Sequence, residues 1–247
     1  MNLRLAFGLV GLLLLVTSCS GSDASPSPSR SAIARPSPSS TQDRADLVAA
    51  LRRTQSVPHH FAIDADLPES QRLEGSGAFD AANEVYTSKT ALSDPKSPSS
   101  LERIVIGTDY YQRKSDDEPW VHLDLTRLGK DSPLSFETTD ATGLDRFAEA
   151  ITSTRRTGRN TYTGRFAPDS GGDPFLPIGA PSLRSVGMRV SPFTVTTDAT
   201  GWVTAIRMEM TPSDSPTLTM EARLSAHGAP LGVEKPDARE ADDLYYE

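Results

Sequence analysis

From residue 59 onward the chain keeps returning to one pattern: apolar side chains at every second position over a short run, then a cluster of turn formers. Phe61, Ile63, Ala65 and Leu67 alternate with His60, Asp64 and Asp66. Ile206, Met208 and Met210 alternate with Arg207 and Glu209, and Leu218, Met220, Ala222 and Leu224 with Thr219, Glu221 and Arg223. A period of two gives a strand one dry face and one wet face. Ala81-Ala82-Asn83, Gly107-Thr108-Asp109, 115–119 and Asp198-Ala199-Thr200-Gly201 punctuate the runs. Short strands separated by such turns predict an antiparallel meander. The expected strands cover about 59–67, 73–80, 84–92, 101–106, 110–114, 120–125, 157–167, 187–197, 202–211 and 217–226.

Two segments carry the helical period instead. In 41–56, Leu47, Val48 and Leu51 share a face, Asp43 sits near the start, and Arg52 and Arg53 near the end complement the helix dipole before Val57-Pro58 stops the run. In 142–155, Leu144, Phe147, Ala148 and Ile151 keep the i, i+3, i+4, i+7 spacing. The stretch 168–183 holds four prolines and three glycines and reads as a loop. Helix, strands, helix, strands is an α+β order: one large antiparallel sheet with helices on one face. With 36% hydrophobic and 6% aromatic residues, the core must be thin. No internal repeat is visible in the sequence.

The N-terminus reads differently. Arg4 precedes an apolar run over 5–16, too short to span a bilayer as a helix, and Val16-Thr17-Ser18 leads to the only cysteine, Cys19. This resembles a bacterial lipoprotein signal with its lipobox. In such signals the thiol takes a diacylglyceryl group and the cysteine becomes the first residue of the mature chain. Cys19 is therefore the expected lipid anchor, with palmitate-type chains holding the protein on the extracytoplasmic face of the cell membrane, since each buried methylene contributes about 0.8 kcal/mol. A single cysteine excludes an internal disulfide. Residues 20–41 include nine serines and four prolines, a composition that forms no core. Such a tether spans about 25 Å as a coil and about 70 Å extended. The expected organisation is a signal peptide at 1–18, the lipidated Cys19 and linker to 41, a folded domain at 42–236, and a loose acidic tail at 237–247.

The formal charge of −8 argues against nucleic acid, whose binding begins with phosphate neutralisation. No Gly-x-Ser-x-Gly elbow is present and the four histidines are scattered, so no catalytic residue is assigned and no enzyme is expected. No cofactor is expected, and no metal site. Neighbouring His59 and His60 point to opposite faces of a strand, and His60, Asp64 and Asp66, which share one, read as a solvated face. Asp116-Asp117-Glu118 reads as a polar turn. The remaining candidates are apolar. Phe61, Ile63, Ile104, Ile106, Leu123, Val190, Ile206, Met208, Met220 and Leu224 are expected on the inner sheet face, where they either pack on the helices or line a cleft for an acyl chain.

The sequence also resembles the LolA/LppX-like superfamily of envelope lipoproteins common in actinobacteria. The matching features are the opening helix leading into Pro58-His59-His60-Phe61-Ala62-Ile63, the turn Gly107-Thr108-Asp109-Tyr110-Tyr111 before Trp120-Val121, and Tyr162-Thr163-Gly164-Arg165-Phe166. Thr197-Asp198-Ala199-Thr200-Gly201-Trp202 and 225–231 also match, as does the lipobox. The resemblance implies a curved half-barrel sheet wrapped around helices, with an apolar cleft that binds lipid. The chain departs from it over 168–183, where the resemblance implies a helix beneath the sheet. The reading is thus an anchored lipoprotein that binds or carries a hydrophobic ligand. The alternative is a non-enzymatic interaction or sensor module with a filled core and a protein partner.

Overall fold

The computed structural model describes residues 38–67, 70–94, 96–129, 132, 138–167, 190–210 and 217–246. The chain divides into Met1–Arg35 and Pro36–Glu247; every element below belongs to the second unit. The lipobox, Cys19 and most of the linker lie outside the described residues, as does 168–183.

Helix α1 (Pro38–Gln55) opens the fold, three residues before the expected start at 41. Proline suits a first helical position, where its missing N–H has no partner to lose. A meander follows: β1 (His59–Asp66), β2 (Arg72–Asp80), β3 (Val85–Ser93), β4 (Ser99–Ile106), β5 (Asp109–Arg113) and β6 (Trp120–Asp124). Then come α2 (Leu144–Ala150) and a second meander: β7 (Ile151–Gly158), β8 (Thr161–Phe166), β9 (Ser191–Thr197), β10 (Val203–Met210) and β11 (Leu218–Ser225). Last is a short β12 (Ala238–Glu240). The strands form one sheet in the order β12-β6-β5-β4-β3-β2-β1-β11-β10-β9-β8-β7. All pairs are antiparallel except β12 with β6. The α+β class and the large antiparallel sheet packed on helices are as the sequence led us to expect. The topology repeats once, a helix followed by a meander, and the seam is β1 against β11, with Phe61 opposite Leu224 and Ile63 opposite Ala222.

Two sequence expectations are corrected here. The second helix ends at Ala150, and 151–158 is a strand. Thr152 and Thr154 favour extended backbone, and the turn at Arg159-Asn160 closes a hairpin with β8. Ile151 points into the core in either conformation, so helical spacing did not distinguish them. The acidic tail is not loose. Glu240 Oε1 bonds His122 Nδ1 at 2.8 Å, Arg127 pairs with Asp243 at 3.1 Å and lies over the Tyr246 ring, and the Tyr246 hydroxyl accepts from the Asp124 amide. Between β11 and β12 the chain lines a groove with His60, Ala78 and Thr87 on the outer face, and Lys235 pairs with Asp109 on β5. It forms a strap from the seam to the β6 edge.

The other edge is covered by a helix. Arg44 Nε donates to the Ile151 carbonyl at 3.2 Å, and Asp43 accepts from the Arg156 amide at 2.9 Å, so α1 satisfies backbone groups that edge strand β7 would otherwise leave open. Further along α1, Thr54 Oγ1 accepts from the Val203 amide of β10 at 3.1 Å. Gln55 ties the helices together, donating to Asp140 Oδ1 at 2.9 Å and accepting from Thr142 Oγ1 at 2.8 Å. Asp140 then accepts from the Asp145 and Arg146 amides at the start of α2. Phe147 of α2 meets Phe166 and Phe193 edge-on at 5.3 Å each, pairs worth about 1 kcal/mol apiece beyond burial.

His59 and His122 give stability opposite pH slopes. His59 is buried at the end of β1 between Phe79 and His227, with Nδ1 on the Val57 carbonyl and Nε2 without a partner. Burial, with the neighbouring histidines, holds its pKa below 6.5. Its contribution is therefore complete above about pH 6.5 and is lost as pH falls toward the depressed value, at about 1.4 kcal/mol per pH unit within that window. His122 is raised: burial opposes the charge, but Glu240 and Asp109 on its two nitrogens outweigh it. Its contribution is complete below about pH 6.5 and is lost as pH rises through the raised value. Urea unfolding from pH 5 to 8 is expected to show His59→Phe flattening the acid side alone and His122→Gln the alkaline side alone.

Candidate functional site

The registers assign every inward side chain. Phe61, Ile63, Met220 and Leu224 are buried on the inner face at the seam, and Leu123, Ile206 and Met208 are buried in the same core. Three expected positions are corrected. Val105 pairs with Tyr86 and Tyr110 on the inner face, so Ile104 and Ile106 face outward. Val190 precedes β9 and is 42% exposed. Isoleucine flanks Val105 on both sides, and composition alone does not say which parity points in.

The outer face carries ion pairs. Asp64 pairs with Arg72, and Asp116 pairs with Lys89 and Arg113. Arg155, Arg165, Arg207 and Glu209, with Pro192 and Phe193, line an open groove of about 490 Å³ along β7–β10. Among the described residues no group of three or more His, Cys, Asp or Glu side chains could hold a metal.

The inner face of β2–β5 departs from a uniform apolar core. At one end Phe79, Tyr86, Val105 and Tyr110 are buried, with Leu123 of β6 beside Tyr110. Toward the other end Thr90, Leu92, Leu101 and Gln112 are only half-buried. At the boundary Ser88 stands opposite Gly77 on one side and Arg103 on the other, and Arg103 opposite Gln112. Gly75 and Gly77 leave the β2 side of this strip without side chains. Ser88 is 3% exposed, and its Oγ and Arg103 Nε are buried with no hydrogen-bond partner. Tyr86 and Tyr110 flank the arginine. Burial raises both phenol pKa values; Ser88 beside Tyr86, and the guanidinium beside both, act against that rise. Among the described residues no carboxylate forms an ion pair with Arg103. A buried polar atom without a partner costs about 1–3 kcal/mol, and more beside a charge. Ser88, Arg103 and Gln112 are not among the expected site residues, which are all apolar. The signal available was parity: Leu101, Arg103 and Val105 alternate in one strand.

No protein-family profile and no curated protein matches the sequence. Among solved structures the chain is similar to a LolA superfamily protein from Nitrosomonas europaea, at 10% identity and a TM-score of 0.29, over 83% of this chain and 97% of that one.

Proposed function

We propose that the protein is a non-enzymatic lipoprotein, anchored through Cys19 on the extracytoplasmic face of the cell membrane, whose folded unit binds a lipid non-covalently. The observation that carries the binding is the inner-face strip of β2–β5. It joins half-buried Leu92 and Leu101 to buried polar atoms that the described chain leaves without partners. An apolar chain would gain roughly 25 cal/mol for each Å² of apolar surface removed from water there. The signal, the linker and the acidic surface fit a domain tethered to a membrane and held off it.

Leu101→Trp tests the strip. It is expected to lower the lipid recovered by organic extraction from the purified protein about tenfold while the melting temperature changes little, because Leu101 is half-buried. Ile104→Trp, on the opposite face, is expected to leave bound lipid unchanged. Equal loss from both, or loss from neither, contradicts the assignment. The packing of Met208, Met220 and Ile206 into a filled core favours the second reading, an envelope interaction module. A stoichiometric protein partner with no extractable lipid would establish that one.

A further inference from the structure

Resting on the lipid reading, we infer that Arg103 and Ser88 form the head-group site, and that the ligand is an acyl chain bearing an anionic oxygen head, a carboxylate or a phosphate. Three observations meet there. Arg103 Nε can only donate, it is buried, and it has no acceptor. Ser88 Oγ, on the neighbouring strand directly opposite, is also buried and without a partner. Their surroundings on this face are Tyr86 beside Ser88, Tyr110 beside the guanidinium, and Gly77, Gln112, Leu101 and Val105, with no acidic residue among them.

A guanidinium in a low-dielectric setting favours an anionic acceptor, because charge-assisted hydrogen bonds to carboxylate or phosphate are about twice as strong as neutral ones. The ligand oxygen would satisfy Arg103 Nε and take a second bond from the Ser88 hydroxyl. Half-buried Leu92 and Leu101, on the side of the arginine away from Tyr86 and Tyr110, would provide the apolar surface for the chain. The protein carries a net charge of −8, so this inward arginine attracts an anion that the surface as a whole repels.

The test is photo-crosslinking with the full chain in phosphatidylcholine vesicles. The probes are diazirine-labelled palmitic acid, the matching hexadecanol and a matching phosphatidic acid, with adducts mapped by peptide mass. At least one anionic probe is expected to label 86–112 about tenfold more than the alcohol. Arg103→Met is expected to remove that excess, Arg103→Lys to keep part of it, and Ser88→Ala to reduce it. Which anion labels better identifies carboxylate or phosphate as the source. Equal labelling of 86–112 by all three probes in the unaltered protein overturns the head-group site and leaves the lipid reading standing. Absence of labelling from all three overturns both. The comparison of probes on the unaltered chain decides the question even if a variant folds poorly.

Discussion

Gly77→Ala and Gly164→Ala are each expected to cost about 3 kcal/mol or more, a fall of roughly 6–12 °C in melting temperature for a domain of this size. A Cβ on Gly77 would lie 2.0 Å from the Thr87 carbonyl oxygen and 2.5 Å from Phe61 Cζ. One on Gly164 would lie 2.1 Å from the Ser153 carbonyl oxygen and 2.6 Å from Phe193 Cζ. In both places a phenylalanine on the neighbouring strand, directly opposite, leans across the glycine. The two sites fall one in each meander, and in each the aromatic ring covers strand backbone that the missing side chain leaves open. The loss is large because one of the two obstacles is backbone, which cannot rotate away. Gly75→Ala is the control. Its Cβ would meet the Thr90 methyl at 3.1 Å and backbone only at 3.4 Å, so a change within about 1 kcal/mol is expected. None of the three glycines has positive φ, so the difference measures packing. Thermal melts of the three variants check this, and equal effects at Gly75 and Gly77 would contradict the assigned packing.

Replacing the proposed anchor residue, Cys19→Ser, is expected to abolish labelling by radioactive palmitate and to move the protein out of the lipid-modified membrane pool. One saturated chain of about fourteen carbons gives only reversible membrane binding, about 10⁴ M⁻¹, whereas two or three chains hold a protein almost permanently. No helix among the described residues is long and apolar enough to cross a membrane. The net charge of −8 also disfavours adsorption to anionic lipid. Fractionation with palmitate labelling decides it, and continued labelling of the Cys19→Ser variant would place the acyl group on another residue.

Strand positions were legible in the sequence wherever one face stays wet. Alternation over 59–67, 202–211 and 217–226 reproduces the observed strands to within one residue at each end. Alternation fails where both faces carry apolar or aromatic side chains. Ile104, Val105 and Ile106 are one case, and Tyr110 and Tyr111, both buried on opposite faces, are another. There only the register through Tyr86, Val105 and Tyr110 reveals which set points inward. Leu144 to Ile151 shows a second limit, since a buried residue at a helix end continues into a strand with the same inward direction. The tail shows a third: its docking depends on His122 and Arg127, far away in sequence. The topological repeat left no mark on the sequence beyond the paired glycine and phenylalanine positions.

Benzoylphenylalanine placed at position 101 or 104 of the full chain tests whether lipid lies against the inner face of β2–β5, as proposed. After irradiation of cells fed labelled fatty acid, with the N-terminal segment through Cys19 removed by proteolysis before counting, a lipid adduct is expected from position 101 and none from 104. An adduct from 104 alone, or a protein adduct in place of lipid from 101, would contradict the proposal.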